Sequence, residues 1–246
     1  MYFLIENKST VVTDAQIATM CVALNRALII FCAGWGWTLA KCAPCDAINS
    51  QDPLAVRVVV IDDDPERQGE LGDHSEDSGI PIAVILAKVV TDAGGGVLDG
   101  GSVGVSVASV IAHEVFETLC DLNVNDWIFD GKNFLAKEVS DPVEGAPNYA
   151  VQLDDGTSVE LSNAVFPPYF DLQAPEGSTF DLCGACKIPL ELLPGGYQVV
   201  FDVKTGQETQ VFGASRLELH EKIRAHRFSR RARRARAVER ARKGKS

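Results

Sequence analysis

The sequence predicts an α+β fold with two helices and a few strands in the first half and short strands in the second. Apolar side chains recur at helical spacing in two segments, residues 14–31 and 106–122. Two β-branched runs between them, residues 56–61 and 81–90, have the composition of buried strands. We therefore expect an α/β part at residues 1–125, a β-rich part at 126–214 and a basic tail, helical or disordered, at 215–246.

Local signals support each element in turn. Thr13 or Asp14 can cap the first helix, and the Gly34-Trp-Gly36 segment ends it. The polar residues 68–74 form a loop or an edge strand, and the glycine-rich residues 92–104 form a flexible connection. The later strands are expected at residues 127–129, 133–139, 149–153, 158–161 and 197–203, with hairpin turns at residues 154–156 and 194–196.

The formal net charge of -11 is divided unevenly along the chain. Residues 216–246 carry 13 Lys and Arg against 3 Glu, a net +10, which leaves -21 for residues 1–215. The acidic body repels nucleic acid. A basic run that begins at Arg227 and ends at Lys245 is able to neutralise phosphates, to lie on an acidic protein surface, or simply to be solvated.

No segment has the length of a membrane span. The longest apolar runs, such as residues 27–33 and 80–87, are shorter than the roughly 20 residues a spanning helix needs. The N-terminus also lacks a basic region followed by an apolar core. We expect a protein that is neither secreted nor membrane-bound.

Four of the 7 cysteines form two CxxC pairs, Cys42 with Cys45 and Cys183 with Cys186. Two such pairs are able to close one tetrahedral zinc site with four thiolates. The alternative is that these thiols bind no metal. Cys21, Cys32 and Cys120 lie in apolar stretches and are expected in the core.

The second predicted helix carries the most informative motif, HEVFE, which begins at His113 and ends at Glu117. On a helix, His113, Glu114, Glu117 and Asp121 fall on one side, and the apolar residues cover the other. A His and a carboxylate four residues apart place two donor atoms one turn apart, as a single metal ion requires. Glu114 lies beside the ion, where it is able to accept a proton from a bound water.

The alternative for this helix is an acidic face exposed to water. Charge argues against it, because no Lys or Arg occurs between Lys88 and Lys132 although seven carboxylates do. The helix dipole also disfavours Glu117 and Asp121 near the C-terminal end. A divalent cation would supply the missing charge. Zinc is the expected ion. Because the motif is HExxE rather than HExxH, a carboxylate replaces the second imidazole, and the site would also fit Mn, Ca or Mg.

Several spaced segments resemble a family of tailed-bacteriophage proteins described as hypothetical proteins, virion proteins or metallopeptidases. They are HEVFETLCD from His113, AKEVSDPVE from Ala136, LPGGY from Leu193 and QVFG from Gln210. Upstream, QGELGDH, which ends at His74, is similar to the family's GALGYHD segment, with Asp73 where an aromatic is usual. The resemblance covers residues 14–213, and neither CxxC pair belongs to the motifs that carry it.

The resemblance implies a zincin-like fold: a small mixed sheet, an N-terminal helix and an active-site helix that carries HExxE. It implies that His113 and Glu117 bind the metal and that Glu114 is the general base. Glu138 or Asp141 would be the third ligand, with Asp121 as a competitor. His74 would line the cleft or assist an oxyanion. The alternatives are that Glu138 and Asp141 solvate a strand end and that His74 lies on the surface.

Two functions are compatible with these features. The first is a phage-encoded metal-dependent hydrolase that cleaves a protein or peptide with a metal-activated water. The second is an inert virion or assembly protein that contacts other virion proteins and whose tail binds the genome or an acidic capsid surface. Either places the protein in the virion or in the cytoplasm of the infected bacterium.

Overall fold

The computed structural model of the chain describes residues 1–46, 48, 52–67, 70–77, 80–145 and 147–213. The predicted basic tail lies outside these residues. The described part contains three α-helices and eleven strands, so the α+β class predicted from the sequence is confirmed.

The first half is built on a five-stranded mixed sheet. Its strands are β1 (Tyr2–Asn7), β2 (Lys41–Pro44), β3 (Ala55–Ile61), β4 (Gly72–Asp77) and β5 (Ile80–Leu86). The order is β2-β1-β3-β5-β4, and every neighbouring pair is parallel except β4 with β5. The polar segment before the second β-branched run therefore contributes an antiparallel edge strand.

Three helices accompany this sheet. Helix α1 (Asp14–Trp35) begins with a capping box at Thr13 and ends at Gly36, whose φ of 67° is left-handed. Helix α2 (Ala87–Asp92) starts directly after β5, so the strand predicted for residues 81–90 was too long. Helix α3 (Val107–Cys120) carries the HEVFE motif and has its own capping box at Ser106.

Helix α1 turns one face to the core. By length and composition it is the one helix in the described part of the chain that could cross a membrane, but half of its apolar stretch is buried inside the protein. A core helix meets the same criterion. Cys21, Cys32 and Cys120 are buried, as predicted.

Short antiparallel strands make up the second half, as predicted. Strands β6 (Trp127–Phe129) and β7 (Phe134–Ala136) form one hairpin, and β8 (Tyr149–Gln152) and β9 (Ser158–Leu161) form another across the predicted turn at residues 154–156. Strands β10 (Tyr197–Asp202) and β11 (Gln207–Phe212) extend the first hairpin into a sheet with the order β11-β10-β7-β6.

The hairpin turn predicted at residues 194–196 is wrong. This segment instead leads into β10 and lies against the 3-10 turn Asp141–Val143. A Cβ on Gly196 would lie 2.0 Å from the Pro142 carbonyl oxygen, and Leu193 N–H donates to that same oxygen at 3.0 Å. Glycine is needed here because two backbones approach each other closely.

We expect Gly196→Ala to displace the turn that carries Asp141. The added methyl group meets backbone, which cannot rotate away, so the free energy of unfolding should fall by about 1–3 kcal/mol. Urea denaturation measures this loss, and zinc titration should show weaker binding. Gly156→Ala is the matched control: it strains a left-handed turn (φ 87°) with open space around it, so it should leave zinc affinity unchanged. Equal zinc affinity in both variants would contradict this prediction.

Candidate metal centre

The acidic residues of α3 do not face water. The helix packs against β4, β5 and β9, and Glu114 and Glu117 are buried together with the apolar residues of the helix. Burying ionised carboxylates is costly unless a positive charge or several hydrogen bonds compensate. The groups that surround these two side chains therefore indicate the function of the helix.

One group of potential ligands lies on the His113 side of Glu117. His113 Nε2 is 3.2 Å from Glu117 Oε1 and 3.4 Å from Asp141 Oδ1. The ligand atoms of these three residues all lie within 4.8 Å of one another. The structure thus brings Asp141 to His113 and Glu117, as expected of a third ligand.

A second group lies on the other side of Glu117. His74 Nδ1 is 3.2 Å from Glu114 Oε2 and 3.5 Å from Glu117 Oε2, and these three residues also place ligand atoms within 4.8 Å. Glu138 Oε2 lies 3.5 Å from the other ring nitrogen, His74 Nε2. The interpretation of His74 as a surface residue is wrong, because its side chain is 1 % exposed.

Backbone close to the cluster holds two carboxylates in place. Ser140 N–H donates to Glu117 Oε1 at 3.3 Å. Gly72, at the start of β4, lies so close to α3 that a Cβ there would be 2.8 Å from both Glu114 Oε1 and Val110 Cγ1. The absence of a side chain at residue 72 therefore makes room for Glu114.

Asp121 is not part of either group. It is the C-cap residue of α3, and its Oδ1 accepts hydrogen bonds from the backbone N–H groups of Asn125 and Asp126, at 2.7 and 2.9 Å. These hydrogen bonds tie the carboxylate to the turn that follows the helix. Its role in the described structure is to stabilise that turn.

Among the described residues, the two CxxC pairs are not part of the candidate metal centre and do not form a ligand group with each other. Cys42 Sγ contacts the Cys21 carbonyl at 3.4 Å, and Cys183 Sγ contacts the Pro147 carbonyl at 3.3 Å. Among the described residues, neither group of converging ligands contains a cysteine. The structure does not bring Cys42, Cys45, Cys183 and Cys186 together as a four-thiolate site.

Hydrogen bonds to Asp181 account for the conformation of the second CxxC segment without a bound metal. Its carboxylate accepts hydrogen bonds from the backbone N–H groups of Cys183, Ala185 and Cys186 and from Asn163 Nδ2. Burial and the nearby Asp181 raise the pKa of Cys183 to about 12, which keeps the thiol protonated. Sequence analysis overlooked Asp181, although an Asp two residues before CxxC is a recognisable turn signal.

The electrostatics of the cluster favour bound positive charge. Burial alone lowers the pKa of His74, but Glu138, Glu114 and Glu117 outweigh it and raise the pKa to about 9. Burial likewise opposes protonation of His113, yet Glu117 and Asp141 raise its pKa well above the ordinary value. Burial, opposed by His113 and reinforced by Asp141 and Glu138, raises the pKa of Glu117. In the metal-free protein, protons bound to these three side chains offset the negative charge that a metal cation would otherwise offset.

The donor set fits a divalent metal ion. For metal–ligand bonds of about 2.1 Å, two ligands of a tetrahedral ion lie about 3.4 Å apart. The separations of 3.2–3.5 Å within both groups match that spacing better than a hydrogen bond of about 2.9 Å. Among the described residues, no Lys or Arg forms an ion pair with Glu114, Glu117 or Asp141; Arg67 pairs with Asp64 and Asp73.

The metal-free protein should lose stability as the pH rises from 6.5 to 9. The folded-state pKa of His74 is raised, so its contribution is complete below pH 6.5 and is lost as the pH passes about 9. The raised pKa of Glu117 acts in the same direction. We expect a loss of roughly 1–3 kcal/mol with chelator present. A zinc-loaded sample should resist it, so the difference in melting temperature between the two samples should widen with pH; parallel profiles would contradict this.

The chain matches no family model, no curated protein and no solved structure in comparisons with known proteins. The candidate centre is therefore supported by its own geometry and by the residues that form it.

Proposed function

We propose that this protein is a metal-dependent hydrolase with a peptide as its substrate. The observation that carries the proposal is the buried group of His113, Glu117 and Asp141 with the Glu114 carboxylate on the adjoining residue of the same helix. Imidazole and carboxylate groups are both usual ligands of a catalytic ion. An ion with a purely structural role would not require Glu114.

Each residue has a defined part in the proposed reaction. His113, Glu117 and Asp141 would hold the ion, which when bound makes water more acidic and polarises a carbonyl group. Glu114 would accept a proton from the attacking water and pass it to the leaving amine. His74 would orient Glu114 through the contact of 3.2 Å between Nδ1 and Oε2. Within the cluster, His113 has the most exposed side chain, at 14 %, so substrate would enter from its side.

The arrangement of elements supports the zincin-like part of the proposal. A mixed sheet, the N-terminal helix α1 and the motif-bearing helix α3 are all present, and the antiparallel strand β4 forms the sheet edge beside α3. These are the parts that the resemblance to the phage proteins implies. Membership of that family and a zincin-like active site are both proposals for this chain.

A chelation experiment tests the hydrolase proposal. The purified full chain should cleave members of a broad peptide library, lose that activity with a chelator, and regain it when zinc or manganese is added back. Mass spectrometry of the products would identify the cleaved bonds. A protein that holds one metal ion per chain yet cleaves no peptide would overturn the proposal.

A second candidate is a virion or assembly protein in which the ion is structural. The observation that favours it is the burial of the cluster, where Glu117 and Asp141 are only 4 % and 3 % exposed. The net charge of +10 in residues 216–246 adds the capacity to bind nucleic acid or an acidic protein surface. Bound metal without peptide cleavage, together with recovery of the chain in purified virions, would select this candidate.

A further inference from the structure

We propose that the centre binds two divalent cations, the second held by His74, Glu114 and Glu117. The proposal begins with Glu117, whose two carboxylate oxygens face different imidazoles. Oε1 is 3.2 Å from His113 Nε2, whereas Oε2 is 3.5 Å from His74 Nδ1. A carboxylate in this position bridges two ions, which typically lie about 3.5–4 Å apart.

Each position has its own set of three ligands. The first combines His113, Glu117 and Asp141, and the second combines His74, Glu114 and Glu117. Only Glu117 is shared. Each set contains one imidazole nitrogen and two carboxylate oxygens, so the same kind of ion suits both positions. Two complete sets that meet at one carboxylate are what a bridged pair of cations requires.

The orientation of His74 supports a role as a ligand. Its Nδ1 faces the two glutamates of the second set, and its Nε2 faces Glu138 Oε2 at 3.5 Å. An imidazole that binds a metal usually turns its other N–H group to a carboxylate, which sets the tautomer and aims the ligating nitrogen. Glu138 is therefore assigned as the positioning residue of His74 rather than as a ligand.

The charge of the cluster matches two ions better than one. When both imidazoles bind metal they are neutral, and four buried carboxylates surround them, those of Glu114, Glu117, Glu138 and Asp141. One divalent ion offsets half of their charge, and two offset all of it. Because uncompensated charge is costly in a buried site, the second cation stabilises the loaded form.

This inference goes beyond the proposed function and does not depend on peptide cleavage. An ion in the second position engages Glu114 Oε2, which is then no longer available as a base. The proposed hydrolysis therefore belongs to the form with one ion, and the form with two ions is a distinct state of the same centre.

Zinc stoichiometry tests the proposal on the full chain. The protein is stripped with chelator, incubated with excess zinc, passed through a desalting column and analysed by elemental mass spectrometry. The parent should retain two zinc ions per chain and His74→Ala one. The matched control His226→Ala changes a histidine of the tail and should retain two. One ion in the parent would overturn this proposal and leave the proposed function standing; none would overturn both.

Manganese provides a readout that needs no variant. With two equivalents of Mn²⁺, the parent should give the electron paramagnetic resonance spectrum of an exchange-coupled pair, because a shared carboxylate couples the two ions. Spectra of isolated Mn²⁺ only, or a second zinc that is lost in His226→Ala rather than in His74→Ala, would overturn the bridged pair. Circular dichroism establishes that each variant is folded before its metal content is compared.

Discussion

Replacing Glu117 with glutamine should abolish metal binding at the centre. Glu117 is the one residue common to both ligand groups, and a neutral amide provides only one acceptor oxygen in place of the carboxylate. Changes in residues that merely orient ligands weaken metal binding by about 10–100-fold, so the loss of this ligand should exceed about 100-fold. Zinc titration followed by elemental analysis measures the effect.

The same variant should remain folded without metal. Since the pKa of Glu117 is raised, the protein already favours the neutral form of this side chain, which glutamine imitates. The matched control is Asp121→Asn, at the end of the same helix and just as buried. It should bind zinc normally but lose some stability, because a neutral amide oxygen accepts the two backbone N–H groups less strongly than the charged carboxylate does. Normal zinc binding by Glu117→Gln would refute the assignment of this residue as a ligand.

Replacing Glu114 with glutamine should separate catalysis from metal binding. If Glu114 accepts the proton of the attacking water, its removal should slow peptide cleavage by about 10²–10⁴-fold. His113, Glu117 and Asp141 are unchanged, so the variant should still hold the ion that they bind. Initial rates with protein supplied with one equivalent of zinc and the zinc content of the same sample provide the two measurements.

Glu176→Gln is the control for this experiment because it makes the same chemical change at an exposed position. It should cleave peptide at the parent rate. A Glu114→Gln variant that cleaves at the parent rate would rule out Glu114 as the base, and one that binds no zinc at all would show that the first ion also depends on this side chain.

The motif helix was predictable because all of its signals are local. The Ser106 cap, the apolar periodicity and the spacing from His113 to Glu117 lie within one short segment, and the structure confirms the helix over Val107–Cys120. The lack of nearby Lys and Arg also indicated a cation deficit around the motif. What the sequence pattern did not reveal is which side chains from other segments lie against the acidic side of the helix.

The rest of the centre depends on contacts between distant segments. His74 lies in a polar strand without apolar alternation, so only the packing of β4 beside α3 accounts for its burial. Sequence reasoning left Glu138, Asp141 and Asp121 as competing third ligands. The structure places Glu138 beside His74, Asp141 beside His113 and Asp121 at the end of α3, and the proposed roles rest on this geometry, which no local pattern expresses.

The turn that carries Asp141 is held by backbone from much later in the chain. Leu193 N–H donates to the Pro142 carbonyl at 3.0 Å, and Gly213 N–H donates to the Gly196 carbonyl at 2.8 Å. During synthesis, His74 and the whole of α3 leave the ribosome well before these residues do. Metal loading should thus be a late event of biogenesis, and a nascent chain halted before residue 193 should release its zinc readily.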